Sequence, residues 1–97
     1  MPNYVVLGSW TDQGIRNVKD TVQRYEAARA QAGRFGVTFK ETLWTMGAYD
    51  VVNIVEAPDD ATASRVALAV GSLGNVRTVT MRAYTKDELS AILAGLP

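Results

Sequence analysis

The 97-residue sequence contains neither cysteine nor histidine, and these two absences exclude several classes of functional site. Without cysteine the chain can form no disulfide framework and no thiolate metal site. Without histidine it lacks the commonest general base, the commonest ligand for divalent metals and the usual proximal ligand of haem. We therefore expect no metal site and no cofactor, and a fold that is stabilised by packing.

The sequence also lacks an excess of charge of either sign, because Lys and Arg number 10 and Asp and Glu number 10. A neutral chain has no net field that attracts polyanions, so we expect neither nucleic acid nor a membrane surface as a partner. The N-terminal segment has no basic region and no apolar run long enough for a signal peptide or a membrane span. We expect a single domain over residues 1–97 that resides in the cytoplasm.

The hydrophobic residues, 47% of the chain, fall into periodic segments that predict secondary structure. Alternating or continuous apolar runs predict strands over residues 3–10, 36–46, 49–55 and 76–84. Apolar residues at three- and four-residue spacing predict one helix from Thr11 to near Gly33 and another from Pro58 to Gly74. Thr85 and Glu88 match a capping box, which predicts a short C-terminal helix.

The resulting order is βαββαβ followed by one helix, which predicts an α+β fold of the ferredoxin-like type. Right-handed crossovers give a four-stranded antiparallel sheet in the order 4-1-3-2, with two helices on one face. Strands one and three are the most apolar, which agrees with their central positions. Basic residues that lie off the apolar stripe of the first helix favour a solvated face over an anion-binding surface: Arg16, Lys19, Arg24 and Arg29.

A hairpin is predicted where two strand-like runs meet at Gly47, and this segment also carries a family resemblance. Gly47 is expected to supply a positive φ, and a tight turn there would place Trp44 opposite Val51. The motif Gly47, Tyr49 and Asp50, with the alternating strand after it, resembles that of the GYD domain family of small bacterial proteins. Ala48 here precedes the Tyr-Asp pair, where the family's namesake triplet is Gly-Tyr-Asp. The resemblance covers nearly the whole chain and implies a ferredoxin-like fold of the dimeric α+β barrel type.

Strand parity predicts which residues the two helices cover and which they leave open. We place the most apolar set under the helices: Val5, Leu7, Val52, Ile54, Val79 and Met81. The open face then carries Tyr4, Val6, Gly8, Lys40, Thr42, Trp44, Val51, Asn53, Thr78, Thr80 and Arg82. That face is too apolar and aromatic to stand alone in water, so we expect a homodimer or an oligomer of dimers.

The same open face offers candidate ligand-binding residues, because rings with a few polar groups among them are typical of small-molecule pockets. The candidates are Trp10, Trp44, Tyr4, Tyr49, Asn53, Lys40 and Arg82. For the two tryptophans, packing in the core or interface is favoured over ligand contact.

Three of the polar candidates have a structural interpretation beside the functional one. The Tyr49 phenol could donate to a ligand or cap an interface, and the two readings weigh equally. The Asp50 carboxylate is expected to accept backbone N–H bonds in the turn, with a role as general base as the alternative. Lys40 is expected to reach solvent along an edge strand, although a bound anion or a second subunit could also satisfy it.

Three functions remain open at the level of sequence. The first is a small oligomeric module that binds an apolar or aromatic small molecule on the open sheet face. The second is a cofactor-free enzyme, an isomerase or an oxygenase, by analogy with similar barrels. The third is an assembly element whose aromatic face is consumed by the interface.

Overall fold

A computed structural model describes all 97 residues as four strands and four α-helices. The elements are β1 (Asn3–Trp10), α1 (Asp12–Arg16), α2 (Thr21–Arg34), β2 (Thr38–Trp44), β3 (Val51–Glu56), α3 (Asp60–Ser72), β4 (Val76–Ala83) and α4 (Lys86–Ala94). The strands form one antiparallel sheet in the order β2-β3-β1-β4. The predicted ferredoxin-like architecture and strand order are confirmed.

The predicted boundaries of α3 and α4 are confirmed by their caps. The Asp59 side chain accepts the backbone N–H of Thr62 at 2.8 Å, which starts α3. The hydrogen bonds from Thr62 hold the pKa of Asp59 below its ordinary value. Thr85 and Glu88 form the reciprocal capping box of α4. The chain leaves α3 through Gly74, whose φ of +86° is favourable for glycine alone.

The first predicted helix is wrong in one respect, because the chain breaks it after Arg16. Asn17 ends α1, a 3₁₀ turn follows over Val18–Asp20, and α2 then begins at Thr21. The carbonyl groups freed by this break are satisfied by Arg24, which donates to Asn17 O at 2.7 Å and to Gly14 O at 3.4 Å. The break turns the first part of the apolar stripe outward, so Ile15, Val18 and Val22 are exposed.

The sheet face covered by the helices is the opposite of the predicted one. Tyr4 and Val55 are buried in the core against Ala32 of α2 and Ala63 of α3, so residues of their parity face the helices. Strand pairing extends this inner face to Val6, Gly8, Thr42, Trp44, Val51, Asn53, Thr78, Thr80 and Arg82, most of the set predicted to be open. The residues predicted to be covered lie on the other side.

A β-bulge at Lys40 changes which residues of β2 lie on the inner face of the sheet. Phe39 pairs with Val55, but Glu41 pairs with Ile54, so Lys40 is the extra residue on the bulged strand. The bulge allows Phe39 and Thr42 to share the inner face although three positions separate them. Lys40 therefore leaves the set of inner-face residues, and its Nζ lies 3.8 Å from Oε1 of Glu56.

The outer face of the sheet, which we define as the face that α2 and α3 do not cover, is apolar at its centre. One cross-strand row consists of Leu43, Val52, Leu7 and Val79, and the next consists of Glu41, Ile54, Val5 and Met81. Leu43, Ile54, Val79 and Met81 are each between 37% and 56% exposed. Seven of the eight side chains in these rows are therefore apolar, and nothing in the chain buries them fully.

Helix α4 also carries uncovered apolar residues. Leu89, Ile92 and Leu93 of the predicted stripe lie on α4, Leu96 follows the end of the helix, and all four are exposed. The helix is joined to the sheet by an ion pair between Arg82 and Glu88, with 3.6 Å between Nη2 and Oε2. None of the four helices has the length and apolar character that crossing a lipid bilayer requires.

Candidate functional site

A cavity of about 160 Å³ lies between the inner face of the sheet and helices α2 and α3. Side chains from all four strands contribute to its lining: Val6, Trp10, Phe39, Thr42, Trp44, Val51, Asn53, Val55, Val76, Thr78 and Thr80. From the helices come Thr21, Arg24, Tyr25 and Ala28 of α2 and Ala63, Val66, Ala67 and Val70 of α3. The small alanines of both helices leave space that larger side chains would fill.

The floor of the cavity is a polar row on the inner face of the sheet. Thr42, Asn53, Val6 and Thr80 lie side by side across the four strands. The Thr42 hydroxyl donates to Oδ1 of Asn53 at 2.9 Å, which leaves the two Nδ2 protons of Asn53 without a partner in the chain. No fully buried side-chain polar atom lacks a hydrogen bond, so Nδ2 is accessible from the cavity.

Aromatic rings close one end of the cavity. Tyr25 of α2 meets Trp44 edge to face with 5.3 Å between ring centroids, and it lies 6.1 Å from Phe39. These contacts are of the kind that aromatic pairs prefer. Trp10 also lines the cavity, and both tryptophans were predicted as ligand candidates.

Arg24 is the one charged residue in the lining, and no carboxylate accompanies it. Its Nη1 and Nη2 groups donate to Asn17 O, Gly14 O and the Thr21 hydroxyl, and Nε makes no hydrogen bond. The sequence analysis assigned Arg24 to a solvated basic face, because helical periodicity places it off the apolar stripe. The break after α1 holds its side chain against the exposed carbonyl groups and so beside the cavity. Nowhere do three or more acidic side chains approach closely enough to hold a metal ion.

Tyr4 lies in the core and does not line the cavity. Its side chain is 3% exposed, and its hydroxyl donates to a carboxylate oxygen of Asp60. Burial, with a smaller contribution from the hydrogen bond to Asp60, raises the pKa of Tyr4 from 10.0 to about 12. The phenol therefore joins β1 to the start of α3 in its neutral form.

Arg82 and Lys40, two further predicted ligand candidates, also lie outside the lining. The Arg82 guanidinium stacks 4.7 Å from the Tyr84 ring and 5.7 Å from the Tyr4 ring. It also donates to the backbone oxygen of Asn3 at 3.2 Å. Lys40 lies on the outer side at the bulge of edge strand β2, half exposed beside Glu56. Both side chains contact other parts of the chain.

The hairpin motif is placed at the end of the sheet, with Tyr49 outside the cavity lining. Gly47 has φ of +117°, as predicted, and Trp44 pairs with Val51. The Thr45 N–H donates to the Asp50 carbonyl at 2.9 Å, so the turn is longer than the two residues expected. Tyr49 accepts a bond from the Thr45 hydroxyl at its backbone oxygen, and its ring is exposed.

Asp50 connects the hairpin to β1 twice. Its backbone N–H donates to Gly8 O at 2.8 Å, and its Oδ2 accepts the backbone N–H of Trp10 at 2.9 Å. The carboxylate thus accepts a backbone N–H, as expected, but from the neighbouring strand and not from within the turn. It continues the pairing of β1 with β3 beyond the last strand pair, Gly8 with Val51.

The family is decided by a comparison with known sequences. The sequence model of the GYD domain matches residues 4–93 of the chain. The chain belongs to the GYD domain family. This GYD domain is also 36% identical over 94 residues to a protein of Thermus thermophilus named glutamine synthetase and cystathionine beta-lyase binding protein, and the match covers 96% of this chain and 99% of that protein. The resemblance inferred from the hairpin motif is confirmed.

Proposed function

We propose that this protein is a small protein-binding module that operates as a homodimer. The observation that carries the proposal is the outer face of the sheet, where two cross-strand rows hold seven apolar side chains without a cover. Contiguous exposed apolar surface of this kind marks interaction sites in soluble proteins.

The outer face has the anatomy of a protein interface. Its apolar centre is flanked by polar residues at both ends of the sheet, with Asn3 and Glu56 at one end and Ser9 and Arg77 at the other. An apolar centre with a polar rim is the arrangement found in specific interfaces. The rows cross all four strands without a helix over them, so a flat partner fits better than a peptide in a groove.

The occupant we propose for this face is a second copy of the chain. A sheet packs well on another sheet at a spacing of about 10 Å, and a twofold axis would present the same apolar rows from both sides. The formal net charge is zero, so two copies meet without net electrostatic repulsion. This is the dimeric α+β barrel arrangement, with the outer faces in contact.

Sedimentation velocity of Val79→Glu tests the dimer. Val79 is 47% exposed on edge strand β4, so a charge there is tolerated in a single copy but is costly between two sheets. We expect the wild type to sediment at twice the monomer mass of 10.5 kDa and the variant as a monomer. Leu68→Glu is the matched control, because Leu68 is 73% exposed on α3, away from the sheet. A wild-type monomer, or a Val79→Glu dimer, would contradict the proposal.

The partners we propose for the dimer are metabolic enzymes of the kind in the relative's name, a glutamine synthetase and a cystathionine beta-lyase. The support is the similarity over almost the full length of both chains. The glutamine synthetase and the cystathionine beta-lyase of the organism that encodes this protein are each purified and immobilised. Binding of the wild-type protein to each enzyme is then measured by biolayer interferometry. Saturable binding to either enzyme supports the proposal. If neither enzyme bound, the proposal that these enzymes are partners would be wrong. The proposed homodimer would be unaffected, because sedimentation velocity tests it separately.

A second candidate function is the binding of an apolar or aromatic small molecule. The cavity between the sheet and the helices favours it, because Trp10, Trp44 and Asn53 all line that space. We therefore propose the inner side of the sheet as the ligand position, in place of the open face expected from the sequence. Two proposals can hold together, since the outer face and the cavity lie on opposite sides of the same sheet.

A further inference from the structure

We propose that the cavity binds a small apolar carboxylate, about the size of a single aromatic ring, whose carboxylate is recognised by Asn53 and Arg24. This inference rests on the second candidate function above and names the chemical class of the ligand. It assigns a ligand-binding role to two lining residues beside the hydrogen bonds that each makes within the chain.

The volume of the cavity sets the size of the ligand. At about 160 Å³ it is close to the roughly 150 Å³ of an engineered apolar cavity that admits benzene. Drug-sized ligands need larger sites, of about 300 Å³ or more. One ring with a short substituent therefore fits.

The polar groups of the floor set the chemistry of the substituent. Because Oδ1 of Asn53 accepts from Thr42, the amide offers the two N–H donors of Nδ2 to the cavity. The hydroxyl groups of Thr78 and Thr80 lie on the same inner face and line the cavity. A donor amide that faces a largely apolar cavity without a partner in the chain gains a hydrogen bond when a ligand presents an acceptor group.

The charge of the lining selects an anion among the possible acceptors. Arg24 is the only charged lining residue, and it faces no carboxylate that would neutralise it. Its three hydrogen bonds go to neutral oxygens of Gly14, Asn17 and Thr21, so the positive charge is positioned but not compensated. A partly exposed cation at the edge of a largely apolar space favours a carboxylate over a neutral or cationic group.

Three probes of nearly equal shape test this class: benzoate, benzyl alcohol and benzylamine. Each is titrated into the wild-type protein at neutral pH, and binding is followed by the NMR shifts of the Asn53 side-chain amide and the two tryptophan indole groups. We expect benzoate to bind at least about tenfold more tightly than benzyl alcohol, and benzylamine most weakly, because charge-assisted hydrogen bonds are about twice as strong as neutral ones.

Two substitutions then locate the recognition. Asn53→Asp keeps the shape of the side chain and the acceptor for Thr42, but it places a negative charge on the floor. We expect it to abolish benzoate binding and to leave benzyl alcohol within about twofold of its wild-type affinity. Arg24→Gln should weaken benzoate about tenfold or more, whereas Arg29→Gln, on the exposed part of the same helix, should have no effect.

The outcomes separate the inference from the function on which it rests. Equal affinity for benzoate and benzyl alcohol, or benzoate binding unchanged by Asn53→Asp, would overturn the carboxylate class while the cavity remained a binding site. Failure of all three probes to shift the Asn53 or tryptophan signals would overturn both. Thermal unfolding of Arg24→Gln checks that weaker benzoate binding by this variant is not caused by loss of the fold. If Arg24→Gln does not fold, Asn53→Asp still tests whether the cavity recognises a carboxylate.

Discussion

At the scale of single residues, Asp50 is the member of the hairpin motif with the largest structural role. Its carboxylate accepts the Trp10 N–H, and its own N–H donates to Gly8 O. We expect Asp50→Ala to lower the free energy of unfolding by about 1.5–3 kcal/mol, the range for hydrogen bonds to charged groups. Urea denaturation measures the loss, and Asp50→Asn, which keeps an acceptor oxygen, should recover at least half of it. Equal losses for both variants would show that the hydrogen bond to Trp10 is unimportant.

Tyr4 makes stability depend on pH in the alkaline range. Its pKa is about 12 in the folded chain and 10.0 as an ordinary value, so the folded state holds the phenolic proton more tightly than the unfolded state. The stabilising contribution is therefore complete below about pH 10 and is lost as the pH rises through about 12. We expect the difference in unfolding free energy between the wild type and Tyr4→Phe to shrink over this window. A difference that stays constant from about pH 9 to pH 12 would contradict the assignment.

At the scale of elements, α1 is positioned by the contact between Gly14 and the turn that precedes β4. A Cβ added at Gly14 would lie 2.0 Å from the backbone oxygen of Asn75. The same turn receives the Thr11 N–H at Asn75 O and the Thr11 hydroxyl at Gly74 O, both within 3.1 Å. We expect Gly14→Ala to lower the free energy of unfolding by about 2 kcal/mol or more, because backbone must move to admit the methyl group.

Gly33 is the matched control for Gly14. It lies within α2, and a Cβ there would meet nothing within 4 Å. Gly33→Ala should raise the free energy of unfolding by up to about 0.5–1 kcal/mol, through helix propensity alone. Urea denaturation of both variants checks the pair. If the two alanine substitutions acted in the same direction, the close approach of α1 to Asn75 would not be what holds this element in place.

The elements that the sequence predicted well are those with local signals. The capping box of Thr85 and Glu88 indicates the start of α4. Asp59 marks the start of α3, and Gly74 marks the point where the chain leaves it. The break after Arg16 has no such signal, because the apolar spacing continues through Val18 and Val22. It depends on Arg24 and on the turn around Asn75, both distant in the sequence from the residues at the break.

The two faces of the sheet were assigned wrongly, because the rule that the more apolar face lies under the helices did not identify the covered face. The prediction placed the most apolar residues under the helices, whereas the chain puts Thr42, Asn53 and Thr80 there and leaves Val5 and Leu7 on the outer face. The inner face also carries Val6, Trp44 and Val55, so both faces of the sheet are rich in apolar side chains, and apolar content alone could not decide which one the helices cover. The bulge at Lys40 added a second error, since no glycine or proline marks it.

At the scale of the whole molecule, a single copy buries little of its apolar surface. Six hydrophobic residues form the buried core, while Leu43, Val79 and Met81 of the outer face and Leu93 of α4 are exposed. The principal extents of 51, 31 and 18 Å describe a thin, elongated body of one sheet and one layer of helices. Domains of this size depend on most of their apolar area for stability, so a second layer would add what one copy lacks.

The stability of the protein should therefore depend on its concentration. If unfolding is coupled to dissociation of a dimer, a rise of about 100-fold in protein concentration should raise Tm by on the order of 5–10 °C. Differential scanning calorimetry over that range measures the effect. Val79→Glu should remove the dependence of Tm on concentration and lower Tm at the highest concentration. Leu68→Glu, on the solvent-exposed side of α3, should keep the concentration dependence. A wild-type Tm that is the same across the range would mean that one copy is stable with its outer face in water, and it would contradict the dimer.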